Sequence, residues 1–134
     1  MEEFTIGSLY TPHDGFDTVI HLAYINPSFN RGLQHREYRV IENVHEFGIY
    51  DTDSDADYLE EVVGIVIPKL SGKILFKCQS GKSRSVSVAL ACLCMTKKIS
   101  IEEGLAIIRE KRPEANPREA FLRVVKRKSL RFTV

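Results

Sequence analysis

The run Ser85–Thr96, SVSVALACLCMT, contains no charged side chain and is apolar almost all the way round. Folded as a helix, it has no face suited to water, so other elements must enclose it. A chain of 134 residues can build one compact core around such a helix. Just upstream, Ile74-Leu75-Phe76 is a compact buried-strand candidate, and only a short polar loop separates it from the apolar run. A strand that feeds a buried helix, with further strands and helices around it, predicts an α/β layer architecture.

The flanking sequence supplies those elements. Thr18–Ala23 is apolar and rich in β-branched residues, and Tyr38–Ile41 alternates briefly. Phe47 and Ile49 alternate with Gly48 and Tyr50 in a strand pattern that ends at Asp51. Leu59, Val62, Val63, Val66, Ile67 and Leu70 recur at helical spacing behind a cluster of acids suited to a helix N-terminus. Asp55 and Asp57 are expected to cap that helix, and Pro68 to end or kink it. Ser100 and Glu103 form a capping box ahead of Ile101, Leu105 and Ile108, in a helix that stops before Pro113. Asn116, Pro117 and Glu119 open a last helix with Phe121, Val124 and Val125 on its inner face. The expectation is one α/β domain over residues 1–134, a central mixed sheet of about four or five strands flanked by helices.

Hydrophobic residues at 43% and charged residues at 28% exclude disorder along the whole chain. No apolar run reaches the ~18 residues of a membrane span. The opening MEEFTIGSLY has two acids where a secretory leader has basic residues, so no leader is expected. Three cysteines without framework spacing argue against a disulfide scaffold and for a reducing compartment, the cytoplasm or the nucleus. The net charge of +1 hides an asymmetry: eight acids and no Lys or Arg from Glu42 to Glu61, nine Lys or Arg against three Glu from Arg109 onward. Such blocks are ordinary solvated faces or steer a charged partner, and Lys126, Arg127, Lys128 and Arg131 could attract an acidic one. Phe4, Phe132 and Val134 could close the core or anchor a dimer.

The segment between strand and helix, Lys77-Cys78-Gln79-Ser80-Gly81-Lys82-Ser83-Arg84-Ser85, carries the chemistry. At such a junction successive backbone N–H groups turn inward and the helix N-terminus adds partial positive charge, which makes an anion cradle. Gly81 permits the backbone angle that lets the loop close, and Arg84 can grip two phosphate oxygens as a bidentate fork. Gln79, Ser80, Gly81, Lys82, Ser83 and Arg84 are therefore the predicted substrate-binding residues. Cys78 at the base meets the same N–H dipoles, which favour thiolate over thiol, and a thiolate there can attack a bound phosphomonoester. Cys92 and Cys94, inside the apolar helix, read as core residues.

CQSGKSRS resembles the Cys-x5-Arg-Ser/Thr signature of cysteine-dependent protein tyrosine phosphatases, in particular the small VH1-like dual-specificity phosphatases. FTIGSLY and DTVIHLA are similar to that family's opening strands, and ISIEEGLAIIREKRPEANPREAFL to its C-terminal helices. The likeness covers nearly the whole chain, so no further regulatory domain is expected within these 134 residues. It implies a two-step mechanism without metal or other cofactor, and no His/Cys cluster has metal spacing. In that mechanism Cys78 forms a phosphocysteine intermediate, Arg84 stabilises the transferring phosphoryl group, and Ser85 assists departure of the sulfur. An Asp on a separate loop serves as general acid, then base. Counting back from Leu59 favours Asp53, whereas the strand end favours Asp51; Asp51 is taken because strand ends are better fixed than loop lengths.

Three positions depart from the family pattern. Lys77 stands where the family usually has His; its ammonium could still favour the thiolate if it lies near the sulfur. Arg118 stands where relatives commonly carry an Asn that braces the loop, and Lys82 adds a cation to the cradle. So short a chain is expected to leave a shallow pocket open to phosphoserine and phosphothreonine as well as phosphotyrosine on a protein substrate. The other readings are the same chemistry on an inositol phospholipid or RNA 5′ phosphate, and a catalytically weak phospho-binding module.

Overall fold

A computed structural model describes residues 1, 3–23 and 32–129, and within them five strands form one mixed sheet. The strands are β1 (Glu3–Gly7), β2 (Thr18–Ala23), β3 (Tyr38–Ile41), β4 (Val44–Gly48) and β5 (Lys73–Lys77), in the spatial order β1-β5-β2-β4-β3. β5 lies between β1 and β2 and runs parallel to both, while β3 closes the sheet as an antiparallel hairpin with β4. The carboxyl end of β5 therefore opens from the middle of a parallel sheet, the usual location of ligands in such folds.

Four helices follow the expected periodicity: α1 (Ala56–Val66), α2 (Arg84–Lys97), α3 (Ile101–Lys111) and α4 (Glu119–Ser129). α2 is the enclosed helix, packed on β1, β2 and β5 and against each of the other three helices. Phe4, Ile6, Ile20, Leu22, Phe47, Ile74 and Phe76 from the strands join the helices in one hydrophobic core. Phe4 packs edge-on to Phe76 with ring centroids 6.3 Å apart, so it closes the core; Phe132, Val134 and Arg131 lie outside the described residues. Val19, His21, Leu75 and Lys77 alternate with that apolar row and point to the opposite face of the sheet.

Local departures have local causes. The strand expected to reach Asp51 ends at Gly48, where Arg36 N–H donates to Gly48 O and Gly48 N–H to Glu37 O. A Cβ at Gly48 would collide with the Gln34 carbonyl, so glycine lets the two backbones meet there. Pro68 falls in a short 3₁₀ turn, Ile67–Lys69, that terminates α1. Asp55 precedes α1 but makes no capping bond; its buried carboxylate accepts from the Tyr50 N–H at 2.7 Å and from Arg36, with His35 at 2.8 Å. Asp57 likewise pairs with Arg36 instead of capping. The expected cap is thus a tether between the β4–α1 connection and residues 35–36. Ser100 does cap α3, accepting from Glu103 N–H at 3.1 Å.

Candidate active site

Cys78 is the first residue beyond β5, and its sulfur is the convergence point of the loop. The Gly81 N–H donates to Cys78 Sγ at 3.3 Å and the Ser85 hydroxyl lies 3.2 Å from it. The residue is only 1% exposed, yet its sulfur is met by polar groups at the mouth of α2. Gly81 has φ +73°, and a Cβ there would sit 2.8 Å from Gly7 O and 2.7 Å from Arg112 Nη2. Conformation and space both demand glycine at this turn.

The direction of the loop amides follows from where its carbonyls go. Gln79 O accepts from Leu9 N–H at 3.1 Å, Ser80 O from Arg112 Nη2 at 2.9 Å, and Gly81 O from Arg112 Nε at 3.3 Å. Lys82 O accepts from Asn116 N–H at 2.7 Å, and Ser83 O from both the N–H and the hydroxyl of Ser87. A peptide's C=O and N–H point in roughly opposite directions, so carbonyls held from outside leave an inner rim of donors. Arg112 and Asn116 hold this loop from outside; sequence reasoning gave Asn116 only a place at the start of the last helix and Arg112 no role. The Arg-Pro step in the C-terminal segment was the available signal for Arg112. Gln79, Ser80 and Lys82 are exposed around the rim, whereas Ser83 and Arg84 are buried.

Arg84 lies in the first turn of α2, and its Nη1 donates to Ile49 O at 2.7 Å. That bond fixes the guanidinium plane while using one of its five N–H donors. It also ties the loop to the segment that leads into Asp51. Ser83 Oγ donates to Asp51 Oδ1 at 2.8 Å and accepts from the Arg118 N–H at 3.0 Å, so the Ser83 side chain is a bridge between segments. Arg118 Nε reaches Asp51 Oδ1 and its Nη1 reaches Asp53 Oδ1, each at 3.2 Å. Of the two candidate acids, Asp51 is bound to the Cys78–Arg84 loop itself through Ser83, while the Asp53 side chain is 75% exposed and held by Arg118. These residues and 116–119 line an open cleft of about 550 Å³ beside the loop.

Lys77 corrects an expectation. Its Nζ lies on the opposite face of the sheet, donating to Leu9 O at 3.2 Å and Thr11 O at 3.1 Å, with His13 Nε2 at 3.0 Å. Its charge is committed to that segment, and burial pulls its pKa down. The basic block on α4 is answered in part within the chain, since Arg127 pairs with Glu60 of α1 at 3.0 Å.

Residues 9–129 match the family model "Dual specificity phosphatase, catalytic domain". The chain belongs to that family. It is 30% identical to human dual specificity protein phosphatase 4 over 125 residues, which cover 87% of this chain and 30% of that protein. The chicken protein of the same name is 29% identical over the same length, covering 87% of this chain and 32% of the relative. The chain thus spans about a third of the length of the curated relatives it matches. Among solved structures, human DUSP28 superposes with a TM-score of 0.70 at 18% identity, covering 96% of this chain and 92% of that one. The phosphatase of Cydia pomonella, PTP-2, gives the same score at 19% identity, over 94% and 85% of the two chains. At these identities the structural likeness speaks to the fold: a dual-specificity phosphatase fold with a five-stranded mixed sheet and four helices.

Proposed function

We propose that this domain hydrolyses phosphomonoesters on protein side chains, phosphotyrosine and phosphoserine or phosphothreonine alike, through a covalent phosphocysteine. The observation that carries the reading is the Cys78 sulfur set at the mouth of α2 with Gly81 N–H and Ser85 Oγ directed at it. Donors on a sulfur favour its anion, and the anion is the nucleophile. In the first step the Cys78 thiolate forms a bond to phosphorus while the ester P–O bond breaks. Asp51 gives a proton to the departing oxygen. In the second step Asp51 takes a proton from water, the water oxygen bonds to phosphorus, and the P–S bond breaks. Ser85 then donates to the returning thiolate. The inner rim of amides and the remaining N–H donors of the Arg84 guanidinium would hold the three phosphoryl oxygens, whose charge spreads in the transition state. Vanadate, a mimic of that transition state, is expected to inhibit.

Turnover of an aryl phosphate tests the chemistry. Wild type should turn over and Cys78→Ser should fall to background, a loss on the order of 10³-fold or more. Asp51→Asn should lower kcat on phosphopeptides by about 10²-fold or more, while Asp53→Asn stays within a few fold. Wild type and Cys78→Ser that are equally inactive would leave a phospho-binding module as the better description. Faster hydrolysis of an inositol phospholipid headgroup or an RNA 5′-triphosphate than of any phosphopeptide would move the substrate class and keep the mechanism.

A further inference from the structure

The residue just before the nucleophile points away from it, and what it holds there returns to the loop. Lys77 is 4% exposed, and its ammonium carries three protons for three acceptors: Leu9 O, Thr11 O and His13 Nε2. The segment it gathers leads straight from β1, and it contacts the phosphate loop through backbone bonds. Leu9 N–H donates to Gln79 O at 3.1 Å, and Cys78 N–H to Gly7 O at 3.4 Å. The same Gly7 carbonyl lies against the turn at Gly81. We propose that Lys77 is a positioning residue, a buried strap that fixes residues 7–13 and through them the mouth of the phosphate loop, and that His13 makes the strap sensitive to pH.

A buried ammonium is stable only where its hydrogen bonds are made, so losing one acceptor is costly. His13 can accept from Lys77 only while Nε2 carries no proton. Once Nε2 is protonated, two donors and two like charges face each other, and the contact opens. The charged groups around His13 come from every neighbouring element. Lys77 on β5 and His21 on β2 oppose its protonation, while Glu46 on β4 and Asp14 in its own segment favour it. Glu46 is itself engaged, 2.9 Å from Arg39 Nε on β3 and 3.5 Å from His21 Nδ1. Burial and Lys77 outweigh the acids and hold the His13 pKa below its ordinary value. The strap therefore loosens on the acid side of neutrality.

Lys77's role as stated rests on the phosphatase reading only for what the loop is for, because the strap can be read without turnover. Amide hydrogen exchange at Leu9 reports the bond to Gln79 O, and inorganic phosphate reports the cradle. Lys77→Met keeps the length of the side chain and removes its donors. It should lower Leu9 protection and weaken the phosphate Kd by about tenfold each, with amides in the interior of α2 unchanged. Leu9 protection and phosphate affinity within about twofold of wild type would overturn the proposal. Should Lys77→Met fail to fold, His13→Gln decides, since glutamine keeps an acceptor and does not titrate. It should flatten the fall in Leu9 protection, corrected for intrinsic exchange, seen in wild type from pH ~7.5 to ~5. An unchanged fall would overturn the His13 part. Intact, Lys77-dependent protection in a protein without turnover would sink the phosphatase reading alone; normal turnover with Lys77-independent protection would sink the strap alone.

Discussion

Two sulfur environments sit within one strand-loop-helix unit. Cys78, at the mouth of α2, is 1% exposed; Cys92 and Cys94, deeper in the same helix, are fully buried. Exposure does not separate them. Hydrogen-bond direction does: Cys78 Sγ receives the Gly81 N–H, whereas Cys94 Sγ donates to Ser100 O at 3.5 Å. Burial pushes the Cys92 thiol up to about 12, and burial with Glu102 and Glu103 nearby pushes Cys94 up to about 11. Among buried thiols, then, a donor aimed at the sulfur favours the anion, whereas burial without such a donor favours the neutral thiol.

The widest gap between the two environments should appear in alkylation of the native protein. With those pKa values, the ionised fraction at pH 8 is ~10⁻⁴ for Cys92 and ~10⁻³ for Cys94. Iodoacetamide followed by peptide mass mapping should label Cys78 first, with phosphate or vanadate slowing it. Peroxide should follow the same order, with Cys78 oxidised reversibly to sulfenic acid. First labelling at Cys94 would break the comparison, and the assignment of the reactive cysteine with it.

A smaller effect should appear in alkaline stability. An unfolded cysteine ionises from the ordinary value of 9, whereas the folded ones hold their protons to about 12 and 11. Between those limits the unfolded chain has released protons that the native chain retains, so stability falls as pH rises. The slope is at most about 1.4 kcal/mol per pH unit for each thiol. The fall begins near pH 9 and levels off once the folded values are passed, where both states have lost the proton. Urea unfolding of Cys92→Ala should start from lower stability and lose less of it from pH 8.5 to 10.5. Equal alkaline losses in both proteins would show that the interior thiol titrates as if solvated.

What the sequence made legible divides along similar lines. Local pattern located β2, β3, β5 and the four helices because it depends on neighbours two to four residues apart. The pattern at Phe47–Tyr50 overshoots the end of β4, and β1 was read only from the family likeness of FTIGSLY. The cradle was legible because Cys78, Gly81, Arg84 and Ser85 lie within one loop and its helix. Contacts that cross the fold were not. Arg112 and Asn116 reach the loop carbonyls from a distant segment, and Arg118 meets the loop through its N–H while its side chain reaches Asp51 and Asp53. Lys77 adjoins Cys78 in sequence, but strand alternation carries its charge to the other face. Asp55 had the sequence position of a cap, yet Tyr50 and Arg36 claim its carboxylate.

The smallest expected effect tests whether the surroundings of Cys94 are as tight as its raised pKa requires. Gly104 in α3 faces α2, and a Cβ there would lie 2.9 Å from both Cys94 Sγ and Leu90 Cδ1. At an open helical site, alanine would gain about 1 kcal/mol over glycine. Here both contacts must give way, and overpacking of a filled core costs about 1–3 kcal/mol. Gly104→Ala should therefore destabilise by about 1 kcal/mol net. In a Cys94→Ala background one obstacle is gone, so that penalty should shrink by about 0.5 kcal/mol or more, a coupling a double-mutant cycle resolves. Additive effects would place the strain on Leu90 alone. A stabilising Gly104→Ala in wild type would mean room beside Cys94, and room for water there removes the cause of its high pKa.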